Sequence, residues 1–111
     1  VVVTDRFADS TRVYQGAARG DLRDMVDRLH ALMIGVEPDR TFVIDIDPET
    51  GLARGTARGG AEDRFESLGL AFQQRLATGF RALAAEYPDR VRLIDGRGSA
   101  ADVSARIMAA L

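Results

Sequence analysis

The sequence predicts an α/β fold, a partial parallel three-stranded sheet with flanking helices. Two observations carry that prediction. Three short runs, VVVT at 1 to 4, TFVIDID at 41 to 47 and VRLID at 91 to 95, are rich in β-branched residues and read as strands of a buried sheet. The long segments between them repeat apolar residues at spacings of three and four, the helical period, and strands separated by helices pair in parallel.

The elements follow in order. VVVT reads as a strand buried on both faces, which needs a neighbour on each side. In STRVYQG, Ser10 is placed to cap a helical turn and Gly16 to end it. Asp21 is placed to cap the next helix, where Leu22, Met25, Val26, Leu29, Leu32 and Met33 form an amphipathic stripe that Gly35 and Pro38 terminate. Pro48 ends the second strand and opens a helix, because its missing N–H is tolerated in a first turn. Gly59 and Gly60 break that helix, and a longer one is expected from about Asp63 to Glu86. It carries Phe65, Leu68, Phe72, Leu76, Phe80 and Leu83 on one face, with Pro88 beyond its end. Ser99, three residues before Asp102, is placed as the N-cap of a last helix bearing Val103, Ile107 and Leu111.

At 111 residues the chain is long enough for one domain, 1–111, and too short for two. A net charge of -2 argues against a nucleic-acid or membrane-surface partner. With no cysteine there is no disulfide framework and no thiol chemistry, and the lone His30 cannot build a histidine metal cluster; packing is its expected role. No run approaches the roughly 18 apolar residues of a membrane span and nothing resembles a signal peptide, so a cytoplasmic location is the expectation. All 15 basic residues are arginine, so the placement of an arginine carries information and its identity does not. The same fact excludes a phosphate loop of the form G-x-x-x-x-G-K-[ST] from this chain, since that loop needs a lysine.

In open parallel sheets ligands bind beyond the carboxyl ends of the strands, which directs attention to Asp5 and Arg6, Asp47, and Asp95 with Gly96. An Asp-Arg pair after a strand suits a bidentate fork on a phosphate, and it also suits a loop ion pair, a common surface arrangement. Tyr14 and Gln15 have the hydrogen-bonding groups to read a sugar or base, or to fill a core and a surface. Arg54 and Arg58, four apart, repel unless an anion lies between them, and Arg64 returns positive charge beyond the glycine pair. Together they fit a lid closing on polyphosphate; with Glu62, Asp63 and Glu66 nearby they also fit a solvated surface.

The run DRFADSTRVYQGAARG, followed by EPDRTFVIDIDPETGLARGTARG, DRFE and LIDGRGSAADV, resembles bacterial thymidylate kinase in order and spacing across essentially the whole chain. The resemblance implies a P-loop nucleoside-monophosphate-kinase fold, of which this chain would be the carboxyl-terminal portion, with VVVT an interior strand. It implies phosphoryl transfer from ATP to dTMP with Mg²⁺, in a homodimer formed through helices of this region. Arg6 would bind the 5′-phosphate of dTMP with Asp5 beside it, within an acceptor element at 5–16. Ser10 and Thr11 would contact the monophosphate and base, Tyr14 the sugar and Gln15 the base edge. Arg54, Arg58 and Arg64 match the catalytic lid at about 54–66, Glu66 an acidic position near the metal, and Gly96, Arg97, Gly98 and Ser99 the loop beside adenine. Phe7 stands where the family commonly has Tyr or His, and Arg40 where it is usually apolar. Lacking a phosphate loop, the chain alone is expected to be inactive. The alternatives are another nucleoside or nucleotide kinase of the same architecture, or a non-catalytic dimerisation or binding module.

Overall fold

The computed structural model describes residues 1–19, 22–58 and 69–111. Seven elements follow one another: α1 (Ala8–Arg19), α2 (Arg23–Met33), β1 (Thr41–Asp45), α3 (Pro48–Arg58), α4 (Leu70–Glu86), β2 (Val91–Asp95) and α5 (Ala100–Ala109). β1 and β2 pair in parallel, from Thr41 opposite Val91 to Asp45 opposite Asp95, with α3 and α4 between them in sequence.

The described sheet has two strands, where three were expected. Residues 1 to 4 form no strand, and Val1, Val2 and Val3 are fully exposed. Their composition suits a strand, but a strand also needs a neighbour to take its backbone N–H and C=O groups, and no described strand pairs with these residues.

Local sequence explains most of the boundaries. α1 starts two residues before Ser10, so that serine lies inside the first turn, where its N–H donates to the Phe7 carbonyl at 3.1 Å. Gly16 does not end the helix. A mid-helix glycine costs about 1 kcal/mol, and the Ala-Ala-Arg that follows favours continuing. The expected Asp21 cap lies outside the described residues; Leu22 holds the cap position and makes no side-chain cap. At the other end, Ile34 and Gly35 both donate to the His30 carbonyl, and Gly35 takes the left-handed conformation (φ 71°) that closes α2 as predicted.

β1 stops at Asp45, two residues short of the run read as strand, because Asp47 turns back to cap α3. Its carboxylate accepts the Thr50 N–H at 3.2 Å, and Pro48 takes the first helical position. α4 begins at Leu70 after Gly69 at φ 88°, a left-handed break that a helix running on from Asp63 would not contain. Asp63, Phe65 and Leu68 lie outside the described residues. α5 opens with the predicted capping box, Ser99 accepting from Asp102 N–H at 3.1 Å and Asp102 accepting from Ser99 N–H at 2.9 Å.

The core lies between α1 and α4, where Val13, Phe72, Leu76 and Leu83 are buried and Tyr14, Phe80 and Tyr87 pack around them. α4 also packs on β2, whose Val91 and Ile94 are buried, while α2 packs on α1 and α5 on β2. The apolar stripe of α2 is a different matter: Met25, Leu29, Leu32 and Met33 are exposed, and the buried residue of that helix is His30. Its ring meets Phe7 edge to face at 5.5 Å and hydrogen-bonds the Val36 carbonyl at 2.8 Å, the packing role expected of it.

This burial pattern predicts unequal costs for one chemical change. Leu83→Ala removes a side chain 2% exposed and should cost about 2–5 kcal/mol in a urea titration of this chain. Leu32→Ala, at 80% exposure, should stay within about 0.5 kcal/mol of the parent.

Candidate functional site

The strongest local signal is at Arg6. It is the one non-glycine residue at positive φ (63°) among the described residues, a conformation costing roughly 1–2 kcal/mol for a side chain with a Cβ. Thr4 Oγ1 donates to the Arg6 carbonyl at 3.3 Å, and the Arg6 guanidinium lies over the Tyr14 ring, 5.5 Å from its centroid and 3.4 Å from its hydroxyl. Asp5 and Arg6 form no ion pair among the described residues, so the loop salt bridge gives way to a guanidinium poised over an aromatic face. Tyr14 is itself fixed between Phe72 and Phe80 of α4.

α1 brings together the other residues expected of an acceptor element. At about 100° per residue, Ser10, Thr11, Tyr14 and Gln15 occupy one arc of about 140°. Thr11 is exposed and the other three are half-buried. Asp5 is exposed beside them.

The amino end of this helix is tied down by a group that sequence reasoning missed. Asp9, 3% exposed, accepts four hydrogen bonds: from Arg90 at 2.6 and 2.9 Å, Arg12 at 2.9 Å and the Thr41 hydroxyl at 2.9 Å. Arg12, 4% exposed, also donates to Asp27 at 2.6 Å and to both oxygens of Glu37 at 2.6 and 3.1 Å. Burial pushes the Asp9 carboxyl up, but the hydrogen bonds from Arg90, Thr41 and Arg12 outweigh it and hold the group at about 2. The hydrogen bond to Glu37 raises the Arg12 guanidinium against its burial, and the same bond lowers Glu37. A signal existed in the helical wheel: Asp9 and Val13 are four apart, so any turn that buries Val13 carries Asp9 inward.

The second cluster lies at the carboxyl ends of the strands. Register sets Asp45 beside Asp95, and each like charge is matched by a guanidinium: Arg81 on both oxygens of Asp45 at 3.1 to 3.3 Å, Arg97 on both of Asp95 at 2.9 to 3.2 Å. The side-chain bond from Arg97 lowers the Asp95 carboxyl to about 2. In the loop that follows, Gly96 leaves no room for a Cβ, which would meet Ile44 Cγ2 at 2.9 Å, and Gly98 sits at φ 94° with Asp102 Oδ2 2.6 Å from its Cβ position. Arg106 donates to the Asp95 and Arg97 carbonyls, and Ser99 caps α5.

Arg54 of α3 reaches this loop, donating to the Gly96 carbonyl at 3.2 Å. The structure thus joins Arg54 to Gly96 and its neighbours, and Arg6 to Tyr14. Tyr14 packs on Phe80, the residue before Arg81, and Arg81 holds Asp45 at the carboxyl end of β1, while the 96–99 loop leaves the carboxyl end of β2. Arg58 closes α3, but its side chain, with Arg64, Glu66 and the Gly59–Gly60 pair, lies outside the described residues. Among the described residues no cluster of three His, Cys, Asp or Glu could hold a metal ion, and no helix is long and apolar enough to cross a membrane.

A family model described as thymidylate kinase matches residues 1–107. The chain belongs to the thymidylate kinase family. It is 62% identical over 110 residues to a thymidylate kinase of Dinoroseobacter shibae, covering 99% of this chain and 53% of that protein. It is 65% identical over 94 residues to one of a Jannaschia species, 85% and 45% of the two chains, and 58% identical over 107 residues to one of Ruegeria pomeroyi, 96% and 51%. The chain spans about half the length of the curated relatives it matches. Family membership carries a P-loop kinase fold, of which the described α/β pair of strands and its flanking helices are a part.

The Asp9 network makes acid stability a test of the geometry. Its folded pKa is depressed from 3.8 to about 2, so its contribution is fully present above about pH 4 and is lost as pH falls through about 2. The stability gap between the parent and Asp9→Asn, followed by thermal melts from pH 6 to pH 2, should therefore be widest near pH 6 and should narrow below pH 4.

Proposed function

We propose that the full-length protein to which this chain belongs transfers the γ-phosphoryl group of ATP to dTMP. The observation that carries the proposal is Arg6, a strained residue whose exposed guanidinium is stationed over Tyr14 inside the DR-x-x-x-S-x-x-x-Y-Q-G element of a thymidylate kinase family chain. Backbone strain of this kind persists where a side chain must be aimed.

The geometry supports a division of labour. Arg6 offers a planar two-pronged donor that matches a phosphate, with Asp5 beside it. Ser10 and Thr11 present hydroxyls on the same arc for the monophosphate and base, Tyr14 faces the sugar and Gln15 supplies an amide for the base edge. On the donor side, Gly96, Arg97, Gly98 and Ser99 form a rigid loop that adenine can lie against, and Arg54 ties that loop to α3. Two nucleotides must lie end to end for in-line transfer, and Phe80 and Arg81, consecutive on α4, contact Tyr14 on one side and Asp45 at the strand end on the other. Arg54, Arg58 and Arg64 would neutralise charge on the transferring group. Glu66 would offer a hard oxygen of the kind that suits Mg²⁺, a cation that would offset phosphate charge.

The lysine that cradles the β and γ phosphates is not in this sequence, so this chain alone should turn over no ATP with dTMP in a coupled assay. In the full-length enzyme, Arg6→Ala should raise the KM for dTMP at least about tenfold with little change in melting temperature, and Arg58→Ala should lower kcat about a hundredfold with a smaller effect on dTMP. Retained rates in both variants would reassign these arginines to solvated surface.

The exposed Met25, Leu29, Leu32 and Met33 of α2, with Ile34 at its C-cap, support a homodimer formed through that helix. Sedimentation of the full-length protein at micromolar concentration should give a dimer, and Leu29→Glu should shift it toward monomer.

A further inference from the structure

We infer that Asp9 and Arg90 form a positioning pair for the acceptor phosphate: their ion pair, braced by Thr41 and Arg12, holds the amino end of α1 so that Arg6 keeps its left-handed turn and its place over Tyr14. The inference rests on the proposed role of Arg6 and adds to it residues that touch no nucleotide.

The chain between Arg6 and Asp9 has no slack. Thr4 Oγ1 bonds the Arg6 carbonyl, Phe7 packs edge to face on His30, and the Phe7 carbonyl accepts the Ser10 N–H. Asp9 closes this short segment with two oxygens that take four donors, from α1 itself, from the first residue of β1 and from the residue before β2. A left-handed arginine survives only where its surroundings leave no relaxed alternative, and these contacts are what remove it.

Holding α1 in place does not by itself require this cluster. Val13 and Tyr14 already pack the helix on α4, so the ionic clamp duplicates that anchorage in the one turn that adjoins Arg6. Buried charges are a costly means of stability compared with apolar packing, and their best-attested use is to specify one arrangement over others. Here the arrangement specified is the direction in which the chain enters α1. The Arg90 guanidinium itself lies over the Tyr87 ring, 4.5 Å from its centroid, a second contact that restrains the fork that meets Asp9.

The test uses the full-length enzyme. Asp9→Asn should raise the KM for dTMP about tenfold while the KM for ATP stays within about twofold. Placed on an Arg6→Ala background it should add nothing further, because it acts only through Arg6. Thr41→Val removes one hydroxyl and keeps the volume, so it carries the test if Asp9→Asn does not fold: a rise of about threefold in dTMP KM is expected, restored by Thr41→Ser. A lowered melting temperature with unchanged dTMP KM in Thr41→Val, or effects of Asp9→Asn and Arg6→Ala that multiply independently, would overturn the inference and leave the dTMP role of Arg6 standing. If Arg6→Ala alone leaves the dTMP KM unchanged, the acceptor-site assignment fails first and the positioning pair falls with it.

Discussion

A buried carboxylate must be matched or expelled, and the rest of this structure is arranged around the matching of one. Asp9 lies where water cannot solvate it, so its two oxygens draw in Arg90, Arg12 and Thr41. Arg12 in turn draws in Asp27 of α2 and Glu37 of the segment leading to β1. Arg23 extends the chain of ion pairs from Asp27 to Glu86 at the end of α4. Four helix and strand segments are thereby given one mutual register at the amino ends of the strands. Apolar packing between α1 and α4 supplies adhesion, but Val13, Phe72, Leu76 and Leu83 have no directional chemistry and tolerate sliding in a way that a saturated carboxylate does not.

The same rule operates at the other end of the strands in a wetter setting. Parallel register places Asp45 next to Asp95, and the repulsion is relieved by a bidentate guanidinium on each. Arg54 and Arg106 then bind backbone carbonyls of the loop that follows, while the closeness of Ile44 forbids any side chain at Gly96. That loop is accordingly stiff before any ligand arrives, which supports the base contact proposed for it. A chain whose cations are all arginine gains here, because a planar fork can span two oxygens where an ammonium supplies a point charge.

The structure also separates two kinds of polar residue that composition cannot. Arg12 and Arg90 are enclosed by carboxylates, while Arg6 stands exposed at a strained backbone position over an aromatic ring. All three are arginines within short helical or loop segments of the sequence. Only the enclosing partners, drawn from up to 81 residues away in the chain, tell an internal brace from a group left open to a ligand.

By itself the sequence determined what depends on near neighbours. Pro48 marks the start of α3, Gly35 the end of α2, and Ser99 with Asp102 the start of α5, because caps and breakers act within one turn. Periodicity was enough to find the buried face of α4 at Phe72, Leu76 and Leu83, and the DR and Y-Q-G spacing was enough to bring out the family. Tertiary structure alone decided the rest. VVVT has the composition of a strand yet pairs with nothing in the described residues, since pairing belongs to two segments and propensity to one. The α2 stripe has the right period and stays exposed, because periodicity says which residues share a face and not what covers it. Asp9 and Arg90 are 81 residues apart, and no local pattern announces a bond whose existence depends on where two strands and a helix end.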